Sequence, residues 1–538
     1  MTAAQYHLQT DVTTSLRGII ADAMQISPED LSIDEPLTDM GVSSLVLVDA
    51  LRRVQETFGV RPSARRILEQ YPTVAACAEH IAELMREKPA LNANGGNLPS
   101  DAEAHSIFSG PVERLPLLAL QKQIGFLAYL TETAAAAFRE NLMLSMSGPL
   151  DVAALKDALA GVIDRHGALR TRLIIEESAQ EIAAGADHQL AIQDVAGANA
   201  TDAQRAASAW LAARAKSYTD ANGPALGVAL IGLQQDLHLL FLSAHAGISD
   251  RPGLNAIAHE LGALYSAGLK RTAATLPDVS DYKQYLEQSQ YAERPEALDA
   301  SARYWLEQFQ DGIPPVELPT DHSRPPTQSY EGRRLIVPLL APLTGKLRGV
   351  CQERGASLYS VALSAFAAVL HRFTGERDLV IGTTGRKSAL EPGNPVLIAN
   401  RTDLLPLRVS VDAEQTFRAL LDSIEMQLSG LRHHSDYPFA LIVQLLNPKR
   451  DLARSPVFSV AFEAESMGRP PQFAGLQAEY VTAPSQHVRY DLHVTLQEIG
   501  DAVQLQCDYA TDLFESHTAR RIMICLRNAL AAIADDLA

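Results

Sequence analysis

Apolar residues recur every three to four positions in LRGIIADAM, SLVLVDALRRV and VAACAEHIAELM near the N-terminus, the spacing of one buried helical face. A loop rich in Asp, Pro and Ser follows the first stretch, so this region predicts a small helical bundle. Residues 88 to 111, KPALNANGGNLPSDAEAHSIFSGP, then collect Pro, Gly, Asn and Ser without periodicity, as a flexible linker does. Beyond the linker, helical stretches such as ALKDALAGVIDRHGALR alternate with short apolar runs such as LHLLFLSAH and RDLVIGTTG, which read as strands. The expected class is α+β multidomain: a bundle over 1–87, a linker over 88–111, and a large α/β region. That region is too long for one core and is expected to form two lobes, 112–275 and 276–538, although no internal repeat marks them.

Composition narrows the function classes. A chain of 538 residues with 46 Lys and Arg against 64 Asp and Glu has a net charge of -18. This opposes sequence-independent nucleic-acid binding, which needs cations to displace phosphate counterions. Cys77, Cys351, Cys507 and Cys525 are scattered, with no CxxC pair and no histidine at zinc-ligand spacing, so reduced thiols and no metal are expected. The opening MTAAQYHLQTDVTT has neither the basic start nor the apolar core of a signal peptide. No window approaches the ~20 apolar residues of a membrane span, and the expected location is cytoplasmic.

In DMGVSSLVLVDALRRV a loop containing Gly41 runs into a helix with Ser43 and Ser44 at its start. A serine here either caps the helix or presents its hydroxyl where free amides and the macrodipole favour a phosphodiester. The segment resembles the acyl or peptidyl carrier proteins, whose modified serine lies in DxGxxSL, here Asp39, Gly41, Ser44 and Leu45. The resemblance covers about residues 10 to 87, including FGVRPSARRILEQYPTVAACAEHI. It implies a four-helix-bundle carrier domain with 4'-phosphopantetheine on Ser44, and Val46, Leu47 and Val48 on or near the partner-recognition helix. Ser43 stands where many carriers have an acidic residue or histidine.

The large region resembles the condensation domains of nonribosomal peptide synthetases, motif by motif and in order. LPLLALQKQIGFL keeps Gln121 but has Gly125 at a usually aromatic position. RHGALRTRL, LPTDHSRP, QSYEGRR, IGTTGR, YPFALIVQLLNP, RDLARSPVFSVAFE and DYATDLF follow. Together they span about 112 to 535 and imply two chloramphenicol-acetyltransferase-like lobes with a tunnel between them. The family's HHxxxDG motif falls on SAHAGISDR. His245 is its first histidine and Asp250 its aspartate, while Ala246 replaces the second histidine and Arg251 the glycine. An amine or hydroxyl attacking a thioester must lose a proton, a task for a neutral imidazole, and the oxyanion needs donors. Alanine supplies neither. His245 is a candidate for the base itself, although its place five residues before Asp250 fits the family's first histidine, a support of the loop. Asp250 reads as structural, with Arg165 or Arg170 as its expected cationic partner, and His433 and His434 also read as structural.

Three accounts of Ala246 stand open. The alanine replaces a histidine removed by design; or the natural domain keeps reduced activity through proximity in the tunnel; or the domain is a catalytically silent docking module that recruits a partner enzyme. The leading expectation is a carrier and condensation didomain that transfers a phosphopantetheine-bound acyl or aminoacyl group to an amine or hydroxyl. It implies a phosphopantetheinyl transferase, an upstream synthetase or polyketide module as donor, and a downstream carrier or free nucleophile as acceptor. The chain is either full-length or a piece of a longer synthetase.

Overall fold

The structure, a computed structural model, describes residues 3–24, 26–37, 40–42, 44–60, 62, 66–67, 70–93, 108–186, 190–195, 206–211, 225–385, 394–449 and 451–536. Asp39, Ser43 and most of the predicted linker lie outside the described residues.

The N-terminal region is helical, as its periodicity predicts. Helices α1 (Ala3–Met24), α2 (Ser44–Phe58) and α3 (Val74–Ala93) pack together. Val12, Leu16 and Ile20 of α1 meet Val46, Ala50 and Val54 of α2 and Cys77, Ala78 and Ile81 of α3 in one buried cluster. Each set advances by three or four residues and so shares a helix face. The loop before α2 turns at Gly41, whose φ of +81° suits glycine best.

The large region divides into two lobes. In the first, β2 (Arg139–Ser147), β5 (Ala191–Asp194), β6 (Leu226–Gln234) and β7 (Leu237–His245) join β12 (Gln477–Val481) in the order β12-β2-β7-β6-β5. A smaller sheet holds β1 (Phe108–Pro116), β4 (Ala179–Ala186) and β3 (Thr171–Ile174). In the second lobe the order is β10-β9-β11-β13-β14-β8. These strands are β8 (Gly332–Leu339), β9 (Asp378–Thr384), β10 (Leu404–Ser410), β11 (Val460–Gly468), β13 (Leu492–Ile499) and β14 (Ala502–Ala510). The second lobe's core includes Phe366, Phe462, Leu505 and Phe514. Strand β12 leaves this lobe in sequence and pairs with β2 of the first, Gln477 opposite Ser147 through Val481 opposite Met143. A strand from the C-terminal half of the chain therefore completes the first lobe's sheet, so a cut at residue 275 does not separate the two sheets.

Three further helices position the site: α4 (Ala119–Leu130), α5 (Arg251–Lys270) and α6 (Phe439–Leu446). Helix α2 packs against α4 and the short turn Ile175–Glu177. Gly41 lies so close to Asn447, just beyond α6, that a Cβ there would stand 2.7 Å from the Asn447 Oδ1. Side chains of the N-terminal bundle and the first lobe share one buried cluster, so the bundle is seated on the large region by apolar contact.

Candidate functional site

Strand β7 is a central strand between β2 and β6, and its apolar run LHLLFLSA is buried accordingly. It ends at His245, and the chain turns through Ala246–Asp250 into α5. The opening motif supports this turn: the Gln121 amide nitrogen lies 3.1 Å from the Gly247 carbonyl oxygen and 3.2 Å from both Gln180 Oε1 and the Tyr282 hydroxyl, its two protons shared among them. In the same motif Gly125 packs under Ile175, whose Cδ1 would lie 2.1 Å from a Cβ there and would have to move to admit a side chain.

Asp250 caps α5. Its Oδ1 accepts from Gly253 N at 2.9 Å, a helix N-cap bond. Its Oδ2 accepts from Arg401 N at 3.1 Å and Thr402 Oγ1 at 2.9 Å, tying the turn to the other lobe. The structure therefore corrects the expected pairing with Arg165 or Arg170. Arg165 meets Glu260 at 3.0 Å, where His166 also binds at 3.0 Å, and Arg170 donates to the carbonyls of Ile163, Asp164 and Ala183. Backbone and hydroxyl donors replace the expected cation. Burial, opposed by these three hydrogen bonds, leaves the Asp250 carboxyl above its ordinary pKa.

His245 is held neutral. Burial, with the Arg139 and Arg489 guanidiniums nearby, pushes its imidazole down to about 3. Its Nδ1 accepts from Gly247 N at 3.0 Å, so the ring proton sits on Nε2 and no lone pair remains for a substrate proton. Ala246 is fully buried in an apolar cluster with Ile124, Ala128, Ala135 and Phe138, against which Leu120, Leu127 and Tyr330 pack. Its carbonyl accepts from Asn400 Nδ2 at 2.6 Å. Neither His245 nor Ala246 is among the residues lining the two large cavities between the lobes.

Among the described residues, two large cavities are walled by both lobes. One, of about 1130 Å³, is walled by apolar side chains including Ile124, Phe138, Phe309, Ile313, Tyr330 and Phe458, with Val42 and Leu47 of the bundle at its edge. The other, of about 910 Å³, is walled by charge: Asp250, Arg251, Arg334, Glu463, His493 and Asp508 among others. Asn400, Thr402, Leu404 and Arg489 line both and mark where they meet. At that junction Arg489 donates to the Ala137 carbonyl and to Glu140 Oε1, each at 2.8 Å, with its guanidinium 5.0 Å from the Phe138 ring centroid. Sequence reasoning missed Arg489, Asn400, Glu463 and His493. The readable signal was faint: Glu463 and Glu465 alternate in AFEAES, which puts both on one face of a strand. His433 and His434 lie outside both cavities; His434 stacks on Tyr304 at 4.2 Å and meets Ser301 Oγ at 3.0 Å. Among the described residues no single helix is long and apolar enough to cross a membrane.

The Condensation domain family matches residues 112–538, and the Phosphopantetheine attachment site family matches residues 14–81. Surfactin synthase subunit 1 of Bacillus subtilis (strain 168) is 27% identical over 535 residues, 98% of this chain, which spans only 14% of that protein's length. Among solved structures, the complex of the X-domain and OxyB from teicoplanin biosynthesis aligns with a TM-score of 0.67 at 25% identity, over 80% of this chain and 94% of that one. The condensation domain from Monacolin K polyketide synthase MokA aligns with a TM-score of 0.68 at 19% identity, over 80% of this chain and all of that one, a likeness of fold. A phosphopantetheine attachment domain takes that group covalently and requires a phosphopantetheinyl transferase. The chain thus belongs to the condensation-domain family and carries a phosphopantetheine attachment domain ahead of it, the carrier and condensation pairing of nonribosomal peptide synthetases.

Proposed function

We propose that Ser44 bears the 4'-phosphopantetheine and that the chain transfers an acyl group, held in the apolar cavity, to an amine or hydroxyl held in the charged one. The observation that carries this reading is the seat of the carrier. Ser44 is the first residue of α2, and Val42 and Leu47 on either side of it line the apolar cavity, which meets the charged cavity at Arg489. The fit to the cofactor rests on the same placement: a helix N-terminus suits a phosphodiester, and an apolar chamber lies beside it. When bound, the group supplies reach and a thioester-activated acyl carbon. The chain's own residues orient the two partners, and holding both in one passage supplies rate through proximity. Upstream modules would load the carrier; the acceptor would be a downstream carrier's cargo or a free nucleophile.

A second reading has its own support. The apolar packing around Ala246 and the likeness to an X-domain structure that contains OxyB both favour a silent platform that docks a partner enzyme. Intact-mass measurement separates the two. Octanoyl-pantetheine is placed on the chain from octanoyl-CoA with a broad transferase, and ethanolamine is added. Loading that is abolished by Ser44→Ala, followed by ethanolamine-dependent loss of octanoyl, is the expected result. Stable octanoyl on a folded chain at all ethanolamine concentrations would sink the transfer reading.

A further inference from the structure

Four strands of the second lobe place one row of charges along the charged cavity. His493 of β13 stands directly opposite Asp508 of β14, and Asp508 opposite Arg334 of β8. On the other side β11 pairs in parallel with β13, His493 opposite Ala461, so Glu463 two residues on shares its face. Arg334 clamps Asp508 through two bonds of 2.7 Å each. With Asp508 so engaged, Glu463 is the carboxylate that meets His493, its Oε1 3.1 Å from Nε2. All four line the cavity.

The row meets the junction at His493. The Tyr490 ring packs edge-on against His493 at 5.7 Å between centroids and lines the apolar cavity on its other side. One aromatic ring therefore separates His493 from the second chamber, and Arg489 of the junction is its near neighbour in sequence. The Nε2 of His493 makes only the ion-pair contact with Glu463, without hydrogen-bond geometry, and among the described residues no hydrogen bond reaches its Nδ1. The imidazole thus lines the charged cavity with its nitrogens short of full hydrogen bonding, so it can take a proton there.

We infer that His493, oriented by Glu463, accepts the proton of the attacking amine or hydroxyl, the task that Ala246 cannot perform. The inference rests on the transfer reading above. As the new C–N or C–O bond forms, the proton passes to His493; as the C–S bond breaks, His493 returns it to the thiolate sulfur. No electrons are exchanged with a third party and no net proton is consumed. Glu463 fixes the ring and offsets the imidazolium charge, as a carboxylate does in an acid-base triad. Burial pulls the imidazole pKa down, but Glu463 and then Asp508 outweigh it against the opposing Arg489 charge, and the net direction is up.

The test uses the full chain loaded with octanoyl and a saturating ethanolamine probe, with single-turnover rates followed from about pH 5 to 9. The rate is expected to fall on the acid side. His493→Gln should lower it ~10²-fold and abolish that acid limb, with the half-saturating ethanolamine concentration nearly unchanged. Glu463→Gln should keep the limb but move it to lower pH. A readout independent of turnover is the NMR titration of the His493 ring in the unloaded chain. It should lie above the ordinary value of about 6.5 and fall in Glu463→Gln, a variant that also serves if His493→Gln fails to fold. Wild-type-like rates and pH profile in His493→Gln, or a ring that titrates below the ordinary value, would overturn the inference alone. Absence of transfer by the unaltered chain would overturn the transfer reading and this inference together.

Discussion

At the scale of single residues, position 246 changes meaning once its surroundings are known. In the sequence the alanine is a missing base; in the structure its methyl group completes an apolar cluster with Ile124, Ala128, Ala135 and Phe138. An imidazole grown on that Cβ would bring two polar nitrogens into contact with carbon. Burying them without partners costs about 1–3 kcal/mol. Ala246→His is therefore expected to lower stability by about that amount in urea unfolding and to raise octanoyl transfer by less than 2-fold. A gain of ~10²-fold, the usual worth of an acid-base group, would show that the cluster opens for the ring and that the native site waits for a histidine. His245 does not fill the role either, because its Nδ1 is spent on Gly247 and an imidazole pushed down to about 3 is a weak proton acceptor near neutral pH.

At the scale of elements, the turn between β7 and α5 is held from both lobes. Gln121 supports it from the first lobe, while Asp250 fixes it to Arg401 and Thr402 of the second. Removing the Asp250 carboxylate would leave the Gly253 and Arg401 amides and the Thr402 hydroxyl without their acceptor. Asp250→Ala should cost about 2–4 kcal/mol, an N-cap loss of about 1 plus the charged bonds across the lobes. Denaturant unfolding with the loading of Ser44 as a control checks this. A loss under ~0.5 kcal/mol would mean that water replaces the contacts and that the interlobe tie is dispensable. Strand β12 is the other tie, and its register with β2 shows that the lobes share a sheet as well as a loop.

At the scale of the whole molecule, the two cavities differ in chemistry, and this difference predicts substrate preference. The chamber beside the carrier is walled by Phe309, Ile313, Tyr330 and Phe458, while its neighbour is walled by ion pairs. Each CH₂ moved from water into an apolar site is worth about 0.8 kcal/mol, and an unpaired carboxylate there costs several. Chains loaded with octanoyl should transfer to ethanolamine at least ~10-fold faster than chains loaded with succinyl. The reverse order would place the acyl group in the charged chamber and exchange the roles of the two.

Much was determined by the sequence alone. Helical periodicity marked the N-terminal bundle, and the ordered motifs marked the condensation fold, because these signals are local: each segment's burial pattern repeats with its own secondary structure. Gln121, Asp250 and the SAHAGISDR turn were likewise visible as members of motifs. Only the tertiary structure decided what those residues touch. The partner of Asp250 is a loop some 150 residues away, not the arginines of RHGALR. The row of Glu463, His493, Asp508 and Arg334 comes from four strands scattered between residues 332 and 510, and no spacing in the chain announces it. Strand register creates it, because pairing across a sheet sets side chains that are distant in sequence ~5 Å apart on one face. For the same reason Ala246 could be read as an absence in the sequence, and only its buried neighbours decided what occupies that place.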